Sequence, residues 1–162
     1  MNIWSRISKL SIGQLFKLSL LFLSRPLLII PTIKATKRAM QICNLLFGES
    51  HHSSNKENAF RHALWNVLIC QETLRYTKNK QKSVFWAQKV TDLYEKVTKN
   101  ELLDKKMDLQ NNAIGRVCFL NHFDEKEEKI IKILQFKAEK AVKVDDLHKI
   151  IEYKNEMIYI SE

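Results

Sequence analysis

The sequence predicts an all-α, single-domain helical bundle of about five to six helices with an apolar, basic N-terminal helical segment, and three observations carry that expectation. Only three Gly and two Pro occur in 162 residues, too little turn chemistry for a many-stranded sandwich or barrel. Long stretches repeat apolar residues at helical spacing. Where such stretches begin, Ser or Asp often stands three residues before Glu or Gln, the spacing of a capping box. With 45% hydrophobic residues, the chain suits one domain with a sizeable core.

The elements follow in order. Ser11 and Gln14 have capping-box spacing and Leu10 and Leu15 that of a hydrophobic staple, so a helix starts near Ile12 and ends at Arg25, where Pro26 forces the chain out of helical geometry. The apolar run resumes at Leu27 to Ile30 and stops at Pro31. From Thr32 to Phe47, the positions Ile33, Met40, Cys43, Leu46 and Phe47 make a helical stripe that Gly48 terminates. A polar loop holds His51 and His52, read as solvated. Ser54 and Glu57 then open a second helix running to about Tyr76. A Lys-rich turn at Thr77 to Gln81 leads to a third helix over Ser83 to Thr98, and Asp104 caps a fourth that carries Met107 to Leu120. Asp124 and Glu127 open a fifth, burying Ile130, Ile131, Leu134, Ala138, Ala141 and Val142, and a short sixth follows Asp145. The tail from Met157 to Ile160 looks extended, with no partner strand in view. Residues 1–50 are thus the apolar, basic segment, 51–122 the helical core with its polar site, and 123–162 the C-terminal helices and tail.

Of the net charge of +9, residues 1–50 hold +6: Arg6, Lys9, Lys17, Arg25, Lys34, Lys37 and Arg38 stand against Glu49 alone. The basic half is also the most apolar half, which suits anionic lipid better than nucleic acid. Neither apolar run approaches the roughly 20 residues that span a bilayer, and the broken run with no small-x-small site does not suit a signal peptide. The expectation is a peripheral segment on an anionic membrane surface, with Trp4 and the Phe residues as interfacial anchors. A buried helical hairpin is the plainer alternative. The odd count of cysteines, Cys43, Cys70 and Cys118, without paired spacing, reads as reduced core thiols and favours the cytoplasm, at the inner membrane. A Lys-rich face including Lys78, Lys80 and Lys82 lacks any helix-turn-helix or stacking signature, so nucleic acid is not an expected partner. Nothing in the sequence names a protein partner.

Three stretches concentrate polar chemistry. Asn58, His62 and Asn66 share one face of the second helix, with Arg61 and Trp65 alongside; Gln88, Asp92 and Glu95 share one face of the third; Asp108, Asn112 and Arg116 share one face of the fourth, beside Asn111 and Gly115. Consecutive helices with short connections are neighbours in a bundle, so these faces converge. Gly115 inside a helix costs about 1 kcal/mol relative to Ala, which implies close approach of a neighbouring helix or a ligand. The set supports general acid and base chemistry through His62 and Asp108, with Arg116 stabilising an anion and Arg61, Asn58, Asn66, Asn111 and Asn112 binding the ligand. It equally offers a divalent metal the ligands His62, Asp92, Glu95 and Asp108. A third reading is a hydrogen-bonded core network that fixes helix register and does no chemistry. The chain carries no HExxH, GxSxG, P-loop or paired CxxC. Trp65 and Trp86 read as core.

The order RHALWN at 61–66, D-x-x-E at 92–95 and MD-x-x-NN-x-x-GR at 107–116 resembles an uncharacterised bacterial domain family, a domain of unknown function found in small stand-alone proteins and at the ends of larger toxin-like or surface proteins. The short, basic, N-terminally apolar form looks like stand-alone members of the Bacteroidetes type. The resemblance covers about residues 55–118 and implies no established activity. The family pattern places a His before the Glu of the second stretch and another before the NN pair; here Tyr94 and Gln110 stand there. If the family uses a histidine-rich metal site, two ligands are missing from this chain. The leading functional expectation is a membrane-surface hydrolase acting on a lipid or other phosphate ester. Against it stands a non-enzymatic, membrane-associated interaction protein whose polar cluster is structural.

Overall fold

The computed structural model describes residues 11–98 and 101–161. Trp4, Arg6, Lys9 and Leu10, which the sequence offered as anchor, cations and staple, lie outside the described residues. Seven α-helices occur among those described: α1 (Ile12–Leu23), α2 (Ile29–Phe47), α3 (Lys56–Thr77), α4 (Lys80–Val97), α5 (Leu102–Asn121), α6 (Glu127–Glu139) and α7 (Leu147–Glu152). Two 3-10 turns, Pro26–Leu28 and Ser50–His52, join α1 to α2 and α2 to α3, and two short strands, β1 (Val142–Lys143) and β2 (Ile158–Tyr159), close the C-terminus. The fold is a single-domain, all-α bundle.

Helix α3 is the axis. It packs against α2, α4, α5 and α6, and Phe60, Ala63, Leu64, Val67, Ile69 and Cys70 are wholly buried. A helix covered on several sides must also bury its polar face, and that places the site inside the molecule. Partners rise together along α3 and α5: Ser54 Oγ meets Asp104 Oδ1 at 2.6 Å, and Arg116 Nη1 meets Asn66 Oδ1 at 3.0 Å. These two helices are therefore parallel. Helix α4 runs antiparallel beside them, with Thr91 against Asn66 and Glu95 against His62.

Several boundaries differ from expectation for local reasons. Asn55 caps α3, accepting from Asn58 N at 3.0 Å, while Ser54 turns its hydroxyl to Asp104. Asn79 caps α4 through Lys82 N at 2.9 Å, so that helix starts earlier than Ser83. Asp104 lies inside the first turn of α5. Lys126, not Asp124, precedes α6, without a side-chain cap. The Ser11 and Gln14 capping box is present as predicted. Pro31 does not stop the chain: it sits in the first turn of α2, where its missing N–H has no helical partner to lose. The buried stripe of α2 runs through Thr32, Ala35, Ala39, Ile42 and Cys43, leaving Ile33 and Leu46 exposed. Trp86 and Trp65 explain this register, because their indole N–H groups donate to Thr32 Oγ1 and Thr36 Oγ1, each at 2.9 Å. Both tryptophans are core residues, as read from the sequence.

The C-terminal tail has a partner after all. Val142, expected as the end of a helix, pairs in parallel with Ile158, and the Asn111 carboxamide grips the same residue, donating to Ile158 O at 2.8 Å and accepting from Ile158 N at 3.0 Å. Gln110 donates to Tyr153 O and Glu156 O, both at 2.8 Å. The three cysteines are free and buried, and burial pushes the Cys43 and Cys70 thiols up to about 12.

Helices α1 and α2 and the 3-10 turn between them carry many large apolar side chains outward, among them Phe16, Leu20, Leu23, Leu27, Ile30 and Leu45. Among the described residues no single helix is long and apolar enough to cross a membrane; the two stretches Ile12–Leu23 and Pro26–Phe47 together have the length and composition, but are bent by 101° at their break.

Candidate functional site

The polar faces of α3, α4 and α5 meet at His62. Its imidazole is enclosed by Arg61, Glu95, Asp108 and Asn112, all buried. Arg61 Nη2 lies 2.8 Å from His62 Nε2. A guanidinium only donates, so Nε2 offers Arg61 its lone pair, and Nδ1 carries the proton toward Asn112 Oδ1 at 3.2 Å. Glu95 Oε1 stands 3.5 Å from the same Nδ1 and accepts from Asn112 Nδ2 at 3.4 Å. On the other side Asp108 Oδ1 is 3.2 Å from Nε2. In this tautomer two lone pairs face each other there, which is attractive only when a proton or a cation stands between them.

His62, Glu95 and Asp108 each place one ligand atom within 4.8 Å of the other two. The 3.2 Å separation of His62 Nε2 and Asp108 Oδ1 matches the roughly 3.3 Å between neighbouring ligands of a tetrahedral ion with bonds of about 2.0 Å. For a cation to use Nε2, Arg61 must yield its contact there. Arg61 has other acceptors, since its Nη1 donates to His51 O at 2.7 Å and approaches His52 Nδ1 at 3.4 Å.

One turn further along, Asn66 joins the three helices. Its Nδ2 donates to Asn112 Oδ1 at 2.7 Å and to His62 O at 3.0 Å, while its Oδ1 accepts from Arg116 Nη1 at 3.0 Å and Thr91 Oγ1 at 3.4 Å. Such short side chains reach across because Gly115 lets α5 touch α3: a Cβ at that position would stand 2.2 Å from the Ala63 carbonyl oxygen. The close approach predicted at this glycine is thus made by backbone of the neighbouring helix.

Sequence and structure differ at three of the predicted site residues, Asp92, Arg116 and Asn111. Asp92 is not one of the clustered ligands; it is half-buried and faces Arg116, partly offsetting the burial that lowers the pKa of that guanidinium. The inward face of α4 runs through Thr91 and Glu95 rather than Asp92 and Glu95, and Gln88 points to solvent. Arg116 serves the Asn66 layer, so Arg61, and not Arg116, is the cation at the imidazole. Asn111 is turned toward the tail and holds Ile158. Asn58 is buried one turn before His62, and its Oδ1 has no hydrogen-bond partner among the described residues, a cost of about 1–3 kcal/mol.

His51 was missed. It is wholly buried rather than solvated, with Nε2 2.7 Å from Asn44 Oδ1, and burial together with His52 and Arg61 pushes its pKa down to about 4. Its cue was Arg61, a buried donor needing an acceptor outside its own helix. Thr91 was also missed, although it stands four residues before Glu95 and thus on its face. Tyr94 packs edge-on against Trp65, with ring centroids 5.3 Å apart, and Gln110 faces the tail. A histidine at position 110 would therefore not reach His62 by replacing this side chain.

A model of a family described as a domain of unknown function, DUF6973, matches residues 19–142. That span takes in all three polar helices and ends before the strand that Asn111 grips. No curated protein and no solved structure matches the chain. With about three quarters of its length matched, the chain belongs to the DUF6973 family of uncharacterised domains.

Proposed function

We propose that the protein is a hydrolase of phosphate esters working at an anionic membrane surface, with His62, Glu95 and Asp108 as ligands of a divalent cation and Arg61 as the group that receives the developing anionic charge. One observation carries this reading: an imidazole and two carboxylates, drawn from three helices, converge within 4.8 Å in a buried setting. Two buried carboxylates beside one imidazole repel each other, and a divalent cation relieves that repulsion while lowering the pKa of a bound water toward 7. The unpaired Asn58 Oδ1 one turn away supports a polar ligand at the same end of the site. Lipid ester is the favoured substrate class because outward apolar residues and cations share the N-terminal helices, which also favours a peripheral, inner-membrane location.

The purified full chain is dialysed and its divalent metal content measured, then screened against phosphate monoesters and diesters beside His62→Ala and Asp108→Ala. The proposal expects bound metal and a hydrolysis that both variants lose. A metal-free chain with no hydrolysis in any screen sinks it.

A second reading is favoured by the near-complete bonding of the inner layer, where Asn66 engages His62, Asn112, Arg116 and Thr91. In it the cluster sets helix register in a membrane-associated interaction protein and does no chemistry.

A further inference from the structure

We propose that the cavity at the break between α1 and α2 binds the headgroup and first acyl segment of an anionic phospholipid. This inference deepens the membrane-surface reading and is independent of the hydrolytic one. The cavity has a volume of about 530 Å³ and is lined by three cations, Arg25, Lys82 and Lys89, and by no carboxylate. None of the three makes an ion pair among the described residues, and Lys89 Nζ lies over the Phe85 ring, 4.6 Å from its centroid. A larger cleft, of about 1130 Å³, offers a contrast: carboxylates stand among its cations, Glu72 pairing with Lys34 and Arg75 and Glu127 with Arg38, which leaves Lys37 and Lys78.

The wall of the cavity is apolar and aromatic. Trp86 closes it from the core, while Phe85 and Leu27 are 59% and 75% exposed at its mouth. Leu23 and Ile30, on either side of Leu27 in the chain, are exposed as well, so apolar side chains available to a bilayer flank the lining. A phosphate between three unpaired cations, with a chain laid against Leu27 and Phe85, satisfies both halves of the lining. A soluble phosphate would satisfy only one.

The test uses the full chain, sedimented with vesicles of phosphatidylcholine with or without phosphatidylglycerol, and titrated calorimetrically with short-chain phosphatidylglycerol or glycerol phosphate. Lys82→Gln with Lys89→Gln is compared with a control at exposed lysines elsewhere, Lys132→Gln with Lys154→Gln. Wild type is expected to bind anionic vesicles and short-chain lipid, with the pocket variant weakened on the order of twentyfold and the control little changed. Equal weakening in both variants overturns the pocket while leaving membrane attachment standing. Failure of wild type to bind any vesicle overturns the membrane reading as well. Glycerol phosphate binding as tightly as the lipid overturns the choice of a lipid. Unchanged melting temperatures in all variants separate binding from folding.

Discussion

Replacing Gly115 by Ala tests the contact on which the whole polar site depends. A Cβ there would stand 2.2 Å from Ala63 O, 2.7 Å from Ala63 Cα and 2.8 Å from Ala63 C, all backbone atoms. No side chain can rotate away, so α5 must separate from α3 by about 1 Å to restore van der Waals distance. Overpacking of this kind costs about 3 kcal/mol at the upper end of its usual range, against which Ala gains about 1 kcal/mol of helix propensity. The net loss is about 2 kcal/mol, or a fall of roughly 4–8 °C in Tm for a domain of this size. The same movement stretches the bond between Asn66 Nδ2 and Asn112 Oδ1, now 2.7 Å. Thermal unfolding followed by circular dichroism, with urea titration as a second measure, reads the loss. A variant as stable as wild type, or more stable by the helix-propensity gain, refutes the backbone contact and the convergence built on it.

Lys78 ends α3 in the left-handed region at φ 52° with its N–H on Leu74 O, so Lys78→Gly is expected to raise stability by about 1 kcal/mol in urea unfolding; no gain would contradict that geometry. Asn111→Ala removes both bonds to Ile158, and hydrogen exchange at the Ile158 amide should accelerate with a stability loss of about 2 kcal/mol. Protection unchanged would mean that the tail is held otherwise. The folded pKa of His51, about 4, lies below its ordinary 6.5, so between these values the unfolded chain binds more protons. Its contribution is complete above pH 6.5 and is lost as pH falls toward 4, a loss of about 2–3 kcal/mol. Urea unfolding across that window should show the slope, and His51→Gln should flatten it; an unchanged slope would place the titration elsewhere.

Helix order and several helix ends were legible because capping spacing and apolar periodicity are local. Ser11 with Gln14 needed no partner to be recognised, nor did Gly48 after Phe47. Pairings across the fold were less so. The inward face of α2 depends on Thr32 and Thr36 meeting two tryptophans from other helices, which its own apolar pattern does not show. The tail strand became visible only with Val142 and Asn111 beside it. At the candidate site, the convergence of His62, Glu95, Asp108 and Asn112 was legible from spacing, since i and i+4 residues must share a face. Asp92 was misplaced because three-residue and four-residue spacings from Glu95 are both helical neighbours, and only packing against Asn66 selects Thr91. Asn111 stands beside Asn112 in sequence but about 100° around the helix, which turns Asn112 to His62 and Asn111 to the tail.

The proposed working site of His62, Glu95 and Asp108 meets its sharpest test in the stability of Asp108→Asn. In a working site the two carboxylates converge within 4.8 Å to serve a cation, so with metal removed by chelation Asp108→Asn should unfold at the wild-type Tm or higher, while added metal stabilises wild type alone. If the cluster is structural, the substitution leaves Arg61 less well compensated in the interior, and Tm should fall by several degrees. A metal-free Tm unchanged or higher in the variant, with stabilisation by added metal confined to wild type, is the predicted result; a marked fall in the metal-free Tm, with no metal bound by either protein, would contradict it.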